Sequence, residues 1–292
     1  MADLKISFFM IVTDRDMVIA DHAVRSYARL RGIPFELIIY SNWVLSSLRT
    51  RYFPRWRAFD FVRIIENEWQ TDERKPTDRR LWGPFDLAWT IWDRELKAIP
   101  TPYVATVDAD FEILDARFIP VMLDRLDRNP RLAAMSTEYD PLKPEVRDTY
   151  SGQVIRLNER WHTWFCIYRR EALQIPVSHE YYEEPIAGGG PAALNVWDDA
   201  GRLQQALKET YGWELAALAA AYDTCFIHYG AFSHNRHLDE RNIRLYRTLK
   251  ILRKRGLYGR RDLLSRGIAK VLDDAIFGRV DRSTYVSGWA IK

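Results

Sequence analysis

In residues 101–114, Thr-Pro-Tyr-Val-Ala-Thr-Val-Asp-Ala-Asp-Phe-Glu-Ile-Leu, a short apolar run rich in strand-forming residues stops at two carboxylates, Asp108 and Asp110, separated by one alanine. Tyr103, Val104 and Val107 favour a strand, and Pro102 stands at its start, where a missing N–H is tolerated. Two anions this close repel unless a positive charge lies between them. Successive strand residues face opposite ways, but a turn at Ala109 lets both carboxylates converge on one hard divalent cation, which takes oxygen ligands. Mg²⁺ or Mn²⁺ completes such a shell with water or phosphate oxygens, so a nucleoside diphosphate is a natural co-ligand.

Two further stretches carry chemistry. Gly188, Gly189 and Gly190 can bring the backbone close to a ligand with N–H groups pointing inward, and they lack the Gly-Lys-Ser ending of a P-loop. Asp198 and Asp199 then precede a helical pattern with Leu203, Ala206 and Leu207 as its apolar stripe. An Asp at a helix start is usually a cap, yet a carboxylate within hydrogen-bond reach also suffices to take a hydroxyl proton as a bond forms. Of the two, Asp199 is favoured, because it lies four residues before apolar Leu203, whereas Asp198 lies four before Arg202.

The elements that position these groups read as α/β. Ile6 to Thr13 is a continuous apolar run, as in a strand covered on both faces; Asp21 to Arg31 has helical spacing; Phe35 to Tyr40 is a second strand. Ligands of open α/β sheets bind outside the carboxyl ends of strands, so Thr13, Asp14 and Arg15 are expected to line a nucleotide pocket, with Asp14 or Asp16 otherwise capping a helix. A third strand is expected over Phe59 to Ile65, a loop over Glu66 to Arg80, and a helix that opens at Trp82 and ends before Pro100. Beyond the acid pair come a helix over Ile119 to Leu126, a strand over Ala133 to Thr137, an irregular loop over 138–160 and a strand from Trp161 to Tyr168. A further strand-like run ends at His228.

Asp108-Ala-Asp110 after a buried strand resembles the Asp-x-Asp motif of nucleotide-sugar-dependent glycosyltransferases of the GT-A fold, and the motifs follow in that family's order over residues 107–236. The resemblance implies a single Rossmann-like domain with a mostly parallel central sheet flanked by helices. It implies a Mn²⁺ or Mg²⁺ site formed by Asp108, Asp110 and the imidazole of His228, with His234 as the competing candidate. The base and ribose of the donor would lie at the end of the first strand, and a carboxylate of the acidic pair would be the base of an inverting transfer. That pair is Asp-Asp here, where Glu-Asp is commoner, which leaves the base open between Asp198 and Asp199. Arg79, Arg80, Asp86 and Asp93 are candidate donor contacts, and Trp161, His162 and Trp164 candidate acceptor contacts. The expected partners are a UDP- or GDP-sugar and a glycan or lipid-linked hydroxyl acceptor. A nucleotidyltransferase shares the sheet and the acids but needs a glycine-rich basic loop after its first strand, where Thr13-Asp-Arg-Asp has no glycine. A non-catalytic carbohydrate- or membrane-binding module would instead use the tryptophans and the basic tail.

Length and composition fit this frame. The 292 residues suffice for one large α/β domain, divided here into residues 1–240 (a nucleotide half, 1–137, and an acceptor half, 138–240) and a basic helical extension, 241–292. Hydrophobic content of 47% with 28% charge describes a globular chain, and a net charge of +3 is too small to imply nucleic acid. Cys166 and Cys225 have no metal or redox spacing and read as buried thiols of a reducing compartment. With no basic-then-apolar leader after Met1, a cytoplasmic placement is expected. In residues 241–266, Leu245, Leu249 and Leu252 share a helical face among cations, which suits a helix packed on the domain or one touching the inner face of an anionic membrane.

Overall fold

The computed structural model describes residues 4–67, 88–147, 154–180, 182–186, 194–197, 200–229, 243–244, 247–248 and 251–252. In chain order the elements are β1 (Ile6–Val12), α1 (Met17–Ser26), β2 (Phe35–Ser41), α2 (Ser46–Arg57), β3 (Val62–Glu66), α3 (Ala88–Glu95), β4 (Tyr103–Asp108) and β5 (Phe111–Ile113). Next come α4 (Phe118–Arg128), β6 (Leu132–Ser136), β7 (Tyr139–Asp140), β8 (Lys143–Arg147), β9 (Val154–Leu157), β10 (Arg160–Trp161), β11 (Phe165–Arg169) and α5 (Arg170–Leu173). The chain continues with β12 (Tyr182–Pro185), β13 (Leu194–Trp197), α6 (Gly201–Glu209), β14 (Glu214–Ala217) and β15 (Phe226–His228).

A seven-stranded sheet in the order β14-β6-β11-β4-β1-β2-β3 forms the centre. β1 pairs in parallel with β2 and β4, β2 with β3, and β14 with β6, while β11 runs antiparallel to both β4 and β6. This is the mostly parallel α/β sheet expected from the continuous apolar strands. Its two faces alternate along β1. Phe8, Met10 and Val12 enter one core with α1, α2 and α4, and Phe9 enters the other with Ile91, Trp92, Leu203 and Leu207 of α3 and α6.

Several boundaries differ from the sequence reading. The first helix begins at Met17 rather than Asp21 and closes in a 3₁₀ turn over Tyr27–Arg29. Phe59 lies in a turn before β3, which starts at Val62. The sequence reading passes over α2 because four arginines and Pro54 hide its apolar face; Tyr52, Phe53 and Trp56 are buried, and Trp56 Nε1 donates to Asp21 Oδ1 at 2.9 Å, tying α2 to α1. The irregular loop expected over 138–160 is corrected by β7, β8 and β9. β9 pairs with β13, which lies some forty residues further on, in a four-stranded sheet β12-β13-β9-β8. Short strands whose partners are remote leave little local periodicity.

The strand β15 is carried by an aromatic cluster. Phe226 stacks on Phe111 at 5.0 Å between ring centroids and lies 5.5 Å from Phe118, while Phe111 stacks on Phe165 at 4.7 Å. These rings bridge β15, β5, α4 and the central sheet. Phe226→Ala should therefore cost about 3–5 kcal/mol of stability, because the removed ring leaves a cavity against the rings of Phe111 and Phe118. Urea denaturation measures this, and a loss within experimental error would show that the cluster does not hold β15.

Candidate metal centre

The strand order places a topological switch point between β1 and β4. From β1 the chain winds outward through β2 to β3 and then returns to lay β4 on the other side of β1, so the connections leave these two neighbours in opposite directions. A crevice opens outside the carboxyl ends of such a pair. Asp108 is the last residue of β4 and lies opposite Ile11 of β1, which puts Thr13, Asp14 and Arg15 beside it. Asp16 heads α1, yet its side chain does not cap that helix. Its carboxylate turns back to accept hydrogen bonds from Thr13 N and Thr13 Oγ1, both at 2.8 Å. Burial pushes this carboxyl up to about 7, against those hydrogen bonds and with help from Asp110 and Asp108. Asp14 Oδ1 is buried with no hydrogen-bond partner.

The chain turns at Ala109–Asp110, and β5 leaves antiparallel to β15 with Phe111 opposite His228. Tyr229 N donates to the Asp110 carbonyl at 3.0 Å and continues the pairing. This ladder brings in the imidazole. His228 Nε2 lies 3.3 Å from Asp110 Oδ1 and 3.5 Å from Asp108 Oδ2. Among the described residues, Asp108, Asp110 and His228 each offer one ligand atom, all within 4.8 Å of one another. An octahedral cation about 2.1 Å from each ligand separates neighbouring donors by roughly 3.0 Å and opposite donors by roughly 4.2 Å, so this set fits one ion. Two carboxylates and one imidazole suit Mn²⁺ well and Mg²⁺ acceptably.

Electrostatics point the same way. Asp110 is 2% exposed, and a buried carboxylate demands compensation. Burial opposes charge on His228, but Asp110 and Asp108 outweigh it and push the imidazole up to about 10. The imidazolium thus holds the positive charge that the two carboxylates require. His228 is in turn stacked from behind. Its ring lies 4.2 Å from that of Trp164, which stacks on His162 at 3.6 Å and 11°. His162 Nε2 is 3.2 Å from Asp140 Oδ2, and burial, with Arg160 adding, pushes this imidazole down to about 3. The sequence reading missed this column, as it missed Asp16 beside the acid pair. A His-x-Trp spacing was its signal, but nothing local tied it to His228.

Other expectations fare differently. His162 and Trp161 are buried, His162 in the stack and Trp161 against Tyr139 at 4.8 Å, so neither is presented to an acceptor in the way expected. Asp93 is taken up by Ser178 and His179: Ser178 Oγ and His179 N donate to it, and His179 Nδ1 lies 2.6 Å away. Gly188, Gly189, Gly190, Asp198, Asp199, His234, Arg79, Arg80 and Asp86 lie outside the described residues. The cap of α6 is Ala200, held at φ 63°, so neither Asp occupies the capping position. Leu203 is buried and Arg202 exposed, as expected.

No protein-family description matches the sequence, and no curated protein does. Among solved structures, the chain is similar to a mannosyltransferase, PcManGT from Pyrobaculum calidifontis in complex with GDP-Man and Mn²⁺. The identity is 12%, covering 94% of this chain and 69% of that one, with a TM-score of 0.46. It is also similar to glucosyl-3-phosphoglycerate synthase from Mycobacterium tuberculosis with Mn²⁺ and UDP-glucose, at 12% identity, 87% and 80% coverage and a TM-score of 0.46. TarS residues 1–349 from S. aureus gives 13%, 96%, 82% and 0.41. Likeness at this level does not identify a family.

Because His228 must release its proton to become a ligand, Mn²⁺ binding at neutral pH should liberate about one proton. Affinity should then rise by about tenfold per pH unit as pH climbs toward 10. Calorimetry in buffers of different ionisation enthalpy reads this directly. Binding without proton release would remove His228 from the ligand set.

Proposed function

We propose that this chain is a metal-dependent glycosyltransferase that moves a sugar from a nucleoside diphosphate donor, a UDP- or GDP-sugar, to a hydroxyl of a glycan or lipid-linked acceptor, with inversion. The reading is carried by one observation: Asp108, Asp110 and His228 bring their ligand atoms together at the switch point between β1 and β4. A divalent cation held there would offset the charge of the departing diphosphate. Asp108 and Asp110 hold that charge at the carboxyl end of β4, and His228 completes the set in its neutral form. Thr13, Asp14 and Arg15, which follow the end of β1, are the donor-side contacts of this reading. The unpartnered buried oxygen of Asp14 supports a hydroxyl partner there.

The acceptor proton is assigned to the acidic pair, with Asp199 the first candidate and Asp198 the second; Gly188, Gly189 and Gly190 supply backbone donors to the donor diphosphate. The described residues contain no helix long and apolar enough to cross a membrane. Lipid-linked acceptors would be met at the inner membrane face through the basic residues 241–266. In that stretch Ile243 is buried against Ile19 and Ile227, which supports a helix packed on the domain as well.

Asp110→Asn removes one ligand charge at nearly constant volume. It should abolish metal-dependent release of nucleoside diphosphate while leaving the melting temperature close to that of the parent. Wild-type turnover in this variant would exclude the metal assignment. Asp199→Asn should lower kcat by about 10²–10⁴ with little change in donor affinity, since the lost contact belongs to the transition state. If Asp198→Asn shows that loss instead, the base moves by one residue; full activity in both removes the acidic pair from the mechanism.

A further inference from the structure

A second charged feature stands apart from the metal centre. Along the outer side of α1 and the turn after it, a cleft of about 730 Å³ is lined by Arg25, Arg29 and Arg31 on one side and by Arg244 and Arg247 on the other. Five guanidinium groups converge on a space of ligand size, and Glu112 is the one carboxylate among the lining residues.

That carboxylate is already engaged. Arg247 Nε lies 2.8 and 2.9 Å from the two Glu112 oxygens, and Tyr229 OH donates to Glu112 at 2.6 Å. Glu112 is 3% exposed, so this pair ties Arg247 to β5 and leaves little negative charge for the cleft. Arg25 is paired with Asp21 at 2.9 Å, one turn earlier on α1. Arg29 donates only to the neutral Ile113 carbonyl, at 3.2 Å, and Arg31 is exposed; neither has a carboxylate partner among the described residues. Arg29 and Arg31 thus stand close together without a counter-charge, and an arginine fork matches the oxygens of a phosphoryl group in two parallel hydrogen bonds.

We propose that this cleft is a phosphate-binding site, distinct from the Asp108–Asp110–His228 group, that takes a ligand carrying clustered phosphoryl groups through Arg29 and Arg31. The cleft is wide enough for a diphosphate or for a phospholipid headgroup at a membrane surface, and the chemistry recognised is the same. The site does not depend on the glycosyltransferase reading, since none of its residues belongs to the Asp108–Asp110–His228 group.

The test uses the whole chain in EDTA, so that no cation can recruit phosphate to the metal centre. Pyrophosphate is titrated calorimetrically, and in parallel the protein is sedimented with vesicles of phosphatidylcholine alone or of phosphatidylcholine mixed with phosphatidylglycerol. Binding in at least one arm is expected, weakening steeply with added salt. Pyrophosphate binding without vesicle binding identifies a soluble ligand; binding to the anionic vesicles only identifies a headgroup. The double variant R29Q/R31Q should weaken either by about tenfold or more while keeping its melting temperature and its metal-dependent turnover on a soluble acceptor. R31Q alone, at an exposed position, should give a smaller loss in the same direction and serves if the double variant is unstable. No binding in either arm, or unchanged binding in the variants, overturns the site.

Discussion

Asp108 and Asp110 repel each other across a single residue, and Asp110 is buried, so the carboxyl end of β4 is stable only with a positive charge against it. The fold supplies that charge from far along the chain. His228 arrives as the last residue of β15, whose partner strand β5 begins immediately after Asp110. The pairing that neutralises the acids is thus built directly onto them. A proton on His228 meets that demand, and a divalent cation held by all three groups at once would meet it as well.

Keeping His228 in place requires more than the three-residue ladder of β5 and β15. On one side the rings of Phe111, Phe118, Phe165 and Phe226 bury the apolar face of both strands. On the other, Trp164 and His162 stack in a column behind the imidazole, with Asp140 at its end. Trp164 also fixes the acid itself, since Asp108 N donates to the Trp164 carbonyl at 2.9 Å. One aromatic residue therefore contacts the metal centre through both its backbone and its ring. This is the rigid support that a ligand set needs if it is to hold its geometry.

The charge balance elsewhere follows a different logic. Near the metal centre, acids outnumber bases and call for a cation. Behind α1 the reverse holds, and Glu112, only two residues beyond Asp110, faces a group of arginines. β5 is thus the seam between an anionic and a cationic region. A net charge of +3 conceals both, because opposite local excesses cancel in the sum.

The sequence by itself determined what depends on neighbours along the chain. The runs at Ile6–Val12, Phe35–Ser41 and Tyr103–Asp108 are strands because branched, aromatic and other apolar residues dominate them, and the acid pair falls where the third of them stops. The tertiary structure decided what depends on partners distant in sequence. The small sheet joining β8 and β9 to β12 and β13 escaped notice for that reason, as did α2, whose apolar face is legible only once Trp56 is seen against Asp21. Asp16 looked like a cap until its carboxylate was found bent back onto Thr13, and Ala200 took the cap that the acidic pair seemed to offer. The arginine cleft has no linear signature at all: α1 and the turn after it lie more than two hundred residues from Arg244, and they meet through the packing of Ile243 against Ile19 and Ile227 and the pairing of Arg247 with Glu112. Strand and helix character are set by backbone sterics within a few residues. Register, burial and charge neutralisation are set by contacts that exist only once the chain has closed on itself.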